Sequence, residues 1–134
     1  MNPFEAIEDV LVTYFEGLHY SDTERLAAVF HPRAIYATAD EHPTLVRDMD
    51  DYLSVVATRE SPAARGEARH DAIDAIELAG PNTALARVRC AIGSRRFVDF
   101  LTLVREHGRW RIMAKVFQII EDDGKQQETS PCPT

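Results

Sequence analysis

The apolar residues of this 134-residue chain change their period once, and that change constrains the fold more than any other feature. Before residue 60 they recur every third or fourth position, the spacing of helices with one buried face. After Gly66 they alternate with polar residues, the spacing of strands with one buried face. Helices first and strands after predict a segregated α+β domain, with the helices packed on a mainly antiparallel sheet. Residues 1–121 carry this pattern and are long enough for one domain with its own core. Residues 122–134 have no apolar spacing and are expected to form a polar, flexible tail.

In the helical part, Asn2 can cap a helix and Pro3 suits its first position. Phe4, Ile7, Leu11, Tyr14, Phe15 and Leu18 then form one stripe along about four turns. Ser21 or Asp22 can cap a second, short helix that buries Leu26, Val29 and Phe30. His31-Pro32 is expected to end it, because the residue before proline is pushed out of the α region, with His31 capping that end. Residues 34–38 read as a short strand and 39–43 as a polar loop. Met49–Arg59 reads as a third helix anchored by Tyr52, Leu53 and Val56.

Four hairpin-linked strands are predicted next, over residues 67–79, 83–92, 95–105 and 109–120. In the first of these, Ile73 and, after an irregularity, Ile76 and Leu78 are expected to turn inward. Long antiparallel strands twist, and a curved sheet can cradle a helix on its concave face. A partly apolar pocket between helices and sheet is the expected result.

Several function classes are excluded by charge and spacing. Fifteen Lys and Arg against 22 Asp and Glu leave a net charge of −7, which repels nucleic-acid phosphates and anionic lipid headgroups. No apolar run approaches the roughly 20 residues of a membrane span, and the first residues lack the basic and apolar regions of a signal peptide. The expectation is a soluble cytoplasmic protein. Cys90 in an apolar strand and Cys132 between prolines do not make a disulfide framework. No two of the five histidines have metal-ligand spacing on one helix face, and Asp48, Asp50 and Asp51 read as first-turn acids of the third helix. Neither a metal nor a cofactor is expected.

Asp99 is the most informative residue. It sits in the apolar run from Phe97 to Val104 and shares a strand face with Phe97, Leu101 and Leu103. A carboxylate there must be hydrogen-bonded, paired with a cation or kept protonated. It is either a structural partner of a nearby arginine or backbone group, or a polar handle in a pocket wall. Tyr14, on the stripe of the first helix, needs a partner for its hydroxyl. Facing each other, the two would aim polar groups into one cavity, with Phe97, Leu101, Met113 and Phe117 as its apolar lining.

Three segments in order carry a family resemblance: Phe30-His31-Pro32-Arg33-Ala34, the strand around Asp99, and Gly108-Arg109-Trp110 running to Lys115-Val116-Phe117. Together they resemble the Putative lumazine-binding branch of the NTF2-like superfamily, over residues 4 to about 120. The resemblance implies a cone-shaped α+β barrel that forms homodimers through its outer sheet face. The superfamily also holds the ketosteroid isomerases, where a first-helix tyrosine and a protonated aspartic acid stabilise an enolate and a second aspartate moves the proton. By that resemblance Tyr14 and Asp99 fall on the two stabilising positions, and Thr38 falls on the position of the base. Asp40 is the nearby carboxylate, two residues or about 6–7 Å further along an extended segment. The leading expectation is a domain that binds an unidentified small molecule. The alternatives are a cofactor-independent acid–base enzyme of isomerase, cyclase or dehydratase type, and a non-catalytic dimerisation module.

Overall fold

A computed structural model describes residues 2–121. The expected flexible tail, 122–134, lies outside the described residues. Helix α1 (Pro3–Tyr20) starts on a capping box: the Asn2 side chain accepts from Glu5 N, and Glu5 reaches back to Asn2 N. Ile7, Leu11, Tyr14, Phe15 and Leu18 are buried, as the stripe predicts, together with Gly17. Each such side chain, fully buried, contributes about 1.5–3 kcal/mol. Phe4 remains exposed. Helix α2 (Thr23–Val29) is capped by Asp22, and α3 (Met49–Thr58) by Asp48, with Asp50 and Asp51 in its first turn. At Gly17 an added Cβ would stand 2.7 Å from the Leu26 side chain, so glycine is what lets α2 close on α1.

Six strands form one sheet in the order β2-β1-β6-β5-β4-β3. They are β1 (Phe30–Thr38), β2 (Leu45–Asp48), β3 (Ala72–Leu78), β4 (Thr83–Ile92), β5 (Arg95–Glu106) and β6 (Arg109–Glu121). Every neighbouring pair is antiparallel except β1 with β6, which run parallel. The three helices pack on this sheet, and the α+β class expected from the periodicity is the one observed.

Several boundaries differ from the sequence reading. Phe30 and His31 belong to β1: helix α2 stops at Val29, and the strand begins before the proline instead of after it. His31 does not cap α2; its Nδ1 accepts from Arg33 N at 3.1 Å, and its Nε2 lies 3.2 Å from Glu106 Oε1. Strand β2 went unread because its four residues are half exposed and too short to show a period. Strand β3 starts at Ala72, not at 67, and its register does shift between Ile73 and Ala75. That shift leaves Ile73 exposed, while Ile76 and Leu78 pack against the core.

A second irregularity matters more. Along β6, Ile112 pairs with Leu103 and Lys115 with Leu101, with a register shift between Thr102 and Leu103. Ile112 and Lys115 are three residues apart, yet both are buried. A bulge at Met113 therefore turns Lys115 into the core side of the sheet.

Candidate functional site

The sheet delivers Asp99, on β5, and Lys115, on β6, to the concave side, and α1 delivers Tyr14 above them. Asp99 is completely buried. The Tyr14 hydroxyl donates to Asp99 Oδ2 at 2.5 Å, and Lys115 Nζ stands 3.9 Å from the same oxygen. The first is a short, charge-assisted hydrogen bond; the second is an ion pair at longer than hydrogen-bond range. The Cys90 thiol faces Asp99 Oδ2 at 3.9 Å.

Four aromatic rings surround the ammonium. Lys115 Nζ lies 5.2 Å from the ring centres of Tyr14, Tyr36 and Phe117, and 5.8 Å from that of Tyr52. The rings are mutually packed, with Tyr36 stacked on Tyr52 at 4.6 Å and tilted against Phe117 at 4.8 Å. This cage attracts a cation, and the chain's own lysine occupies it.

The electrostatics follow from burial. Desolvation pushes the Tyr14 phenol well above its ordinary range, and the adjacent Asp99 charge pushes it further. Burial also raises the Tyr52 phenol and the Cys90 thiol. For Lys115 burial is the largest influence and acts downward, but Asp99 together with Tyr52, Tyr36 and Cys90 outweighs it, and the ammonium is held above its ordinary value. Lys115 is thus a cation across the physiological range. Tyr14 is a neutral donor to a carboxylate, not a donor left for a ligand.

Among the described residues, five buried polar atoms lack a hydrogen-bond partner: Asp99 Oδ1, Tyr52 Oη and Arg59 Nε here, and Ser21 Oγ and Arg111 Nε outside the cavity lining. Tyr52 and Arg59 open on a small cavity between helices and sheet, lined also by Leu18, Tyr36, Cys90, Ile92, Phe97 and Lys115. Its volume is about 20 Å³, room for one water molecule. A larger groove of about 510 Å³ involves His70, Arg89, Arg96, Val98 and Ile120. It lies at the turn between β4 and β5, at Gly93 and Ser94, and shares Cys90 and Phe97 with the small cavity.

The structure brings together Tyr14 and Asp99, with Leu101 fully buried beside Lys115 and Phe97 at the cavity wall. Phe117 packs on Phe97 and Tyr36 behind that wall. Met113 does not join them: it is half-buried in the bulge and outside the cavity lining. Asp40 is exposed, and its carboxylate accepts from Ile119 N at 2.9 Å, so it pins the end of β6 instead of facing the cluster. Thr38 is buried with its hydroxyl donating to Phe117 O and accepting from Asp40 N. Lys115 and Arg59 were missed. Lys115 was legible only as part of a family motif, because the bulge breaks the alternation that would have placed it. Arg59 stands at the end of α3, where sequence periodicity says nothing about direction.

The family described as "Putative lumazine-binding" matches residues 2–118. No curated protein matches. Among solved structures, an NTF2-like protein of unknown function from Silicibacter pomeroyi is similar at a TM-score of 0.79 and 24% identity, over 90% of this chain and 100% of that one. A ketosteroid isomerase-like protein from Erwinia carotovora atroseptica is similar at 0.69 and 12% identity, over 87% and 95% of the two chains. A protein described as a putative scytalone dehydratase from Novosphingobium aromaticivorans is similar at 0.66 and 20% identity, over 87% and 83%. At these identities the likeness establishes the NTF2-like fold alone.

Proposed function

This chain belongs to the Putative lumazine-binding family of the NTF2-like superfamily, and on that premise we propose that it is a small-molecule-binding domain whose ligand enters between α3 and the sheet. The observation that carries the reading is the set of unpartnered buried polar atoms, Tyr52 Oη and Arg59 Nε, opening on a cavity over the Tyr14–Asp99–Lys115 cluster. Native proteins rarely leave buried polar groups unpaired, and a ligand polar group is one partner that would satisfy them. The deep residues Tyr14, Tyr52, Asp99 and Lys115 are fully packed, whereas Tyr36, Arg59, Ile92 and Phe97 are only half-buried. A ligand larger than the one water this cavity holds would have to displace these rim side chains and not the packed floor.

Two observations favour binding over isomerase-type catalysis. Proton transfer needs a base within hydrogen-bond reach of the substrate, and Asp40 is turned to the β6 backbone. An aspartic acid that stabilises an enolate must donate a proton, but Lys115 beside Asp99 makes it an acceptor. The outer sheet face fits a second copy of the chain: Val46, Val116 and Phe100 are exposed along one row of strand neighbours.

Thermal-shift screening of a metabolite library tests the binding reading. Compounds that raise the melting temperature of the wild type are expected to lose most of that effect in Tyr52→Phe and Asp99→Asn. Unchanged shifts in both variants would remove the proposed site.

A further inference from the structure

The lining of the inner cavity carries a charge pattern that narrows the ligand. Its residues with polar groups are Tyr36, Tyr52, Arg59 and Lys115, with Cys90 as a protonated thiol. No carboxylate is among them; Asp99 lies behind Lys115 and is already engaged by it and by Tyr14. Lys115 is neutralised by that pair. Arg59 is in no ion pair with a described residue, and its Nε is buried without a partner on the same cavity as the equally unpartnered Tyr52 hydroxyl.

A guanidinium N–H and a phenol O–H, both desolvated and both unpaired, are donors waiting for an acceptor. An anionic acceptor is favoured, because one positive charge here lacks a counterion. The remaining walls are the flat rings of Tyr36, Tyr52 and Phe97 with the aliphatic Leu18 and Ile92. Rings at such walls suit a planar apolar body, which packs offset or edge-on against them.

Resting on the binding reading above, we propose that the ligand is a planar aromatic carboxylate, its carboxyl group held by Arg59 and Tyr52 and its ring enclosed by Tyr36 and Phe97. The half-buried side chains of Arg59, Tyr36 and Phe97 open the cavity to admit the ring. Arg59 then serves as the anchor that tells an acid from its neutral analogue.

The test is calorimetric titration of the full chain with 4-hydroxybenzoate, trans-cinnamate and 2-naphthoate, each beside its primary amide. At least one acid is expected to bind about tenfold to a hundredfold tighter than its amide, the range of a hydrogen bond to a charged group. Arg59→Gln should bring the acid down to the affinity of the amide, and Arg59→Lys should restore part of the difference. Arg59 is half-exposed at the end of α3, so an unchanged melting temperature in Arg59→Gln separates lost binding from lost folding. Equal affinity for acid and amide, or an acid preference that survives Arg59→Gln, overturns the carboxylate assignment while leaving the binding reading in place. Failure of every acid and every amide to bind below about 1 mM overturns the planar aromatic ligand, while the library screen decides the binding reading.

Discussion

Replacing Lys115 with methionine removes the ammonium from beneath the aromatic cage and keeps most of the side-chain volume. Asp99, completely buried, is then left with the Tyr14 hydroxyl as its one close donor, and its second oxygen is already unpaired. Removing one partner of a buried ion pair costs about 3–5 kcal/mol, because the other charge stays desolvated. For a domain of this size that lowers the melting temperature by roughly 12–20 °C. Calorimetry at pH 7 reads the change directly. The double variant Lys115→Met/Asp99→Asn should regain most of the lost stability, as the amide oxygen still accepts from Tyr14 and no charge is buried. A Lys115→Met protein within a few degrees of the wild type would refute the argument, and so would a double variant less stable than the single one.

Raising the pH should destabilise the fold from about pH 9 upward. Cys90, Tyr14, Tyr52 and Lys115 all release their protons later when folded than when unfolded, so their stabilising contribution is whole at neutral pH and declines as the unfolded chain begins to deprotonate. Phenolate absorbance in a spectrophotometric titration should accordingly show Tyr14 and Tyr52 ionising only as the protein unfolds, which Tyr14→Phe and Tyr52→Phe identify. Gly17→Ala forces the new methyl group against Leu26, completely buried, and should cost about 1–3 kcal/mol in urea unfolding; a neutral or stabilising result would show that α2 shifts freely. Phe100→Arg puts a charge in the exposed apolar row on the sheet's outer face and should convert a dimer to a monomer in light scattering, whereas an unaltered mass contradicts that surface as the self-association site.

The fold was largely legible because its signals are local. The α1 stripe, the Asn2-Pro3 start and the turns at Gly80, Gly93 and Gly108, all with positive φ, are written in short stretches. Asp99 was legible for a related reason: one carboxylate in an apolar strand is conspicuous. Its cation was not, because a lysine in a strand ordinarily faces water. Counting by twos from Ile112 puts Lys115 outside, and only the bulge at Met113 reverses that. The same bulge explains why Met113 looked like pocket lining when counted back from Phe117. Asp40 was placed by distance along the chain, but its direction is set by a hydrogen bond to Ile119, 79 residues away. The parallel pairing of β1 with β6 is equally non-local and leaves no periodic trace.

A small molecule bound over the Tyr14–Asp99–Lys115 cluster leaves the far side of the larger groove, at His70, Arg96, Val98 and Ile120, unoccupied. Chemical-shift mapping of the isotope-labelled protein, titrated with any compound that raises its melting temperature, addresses this most directly. The largest shifts are expected on Tyr36, Tyr52, Arg59 and the Lys115 ammonium, which line the inner cavity alone. Shifts confined to His70, Arg96, Val98 and Ile120 would contradict it.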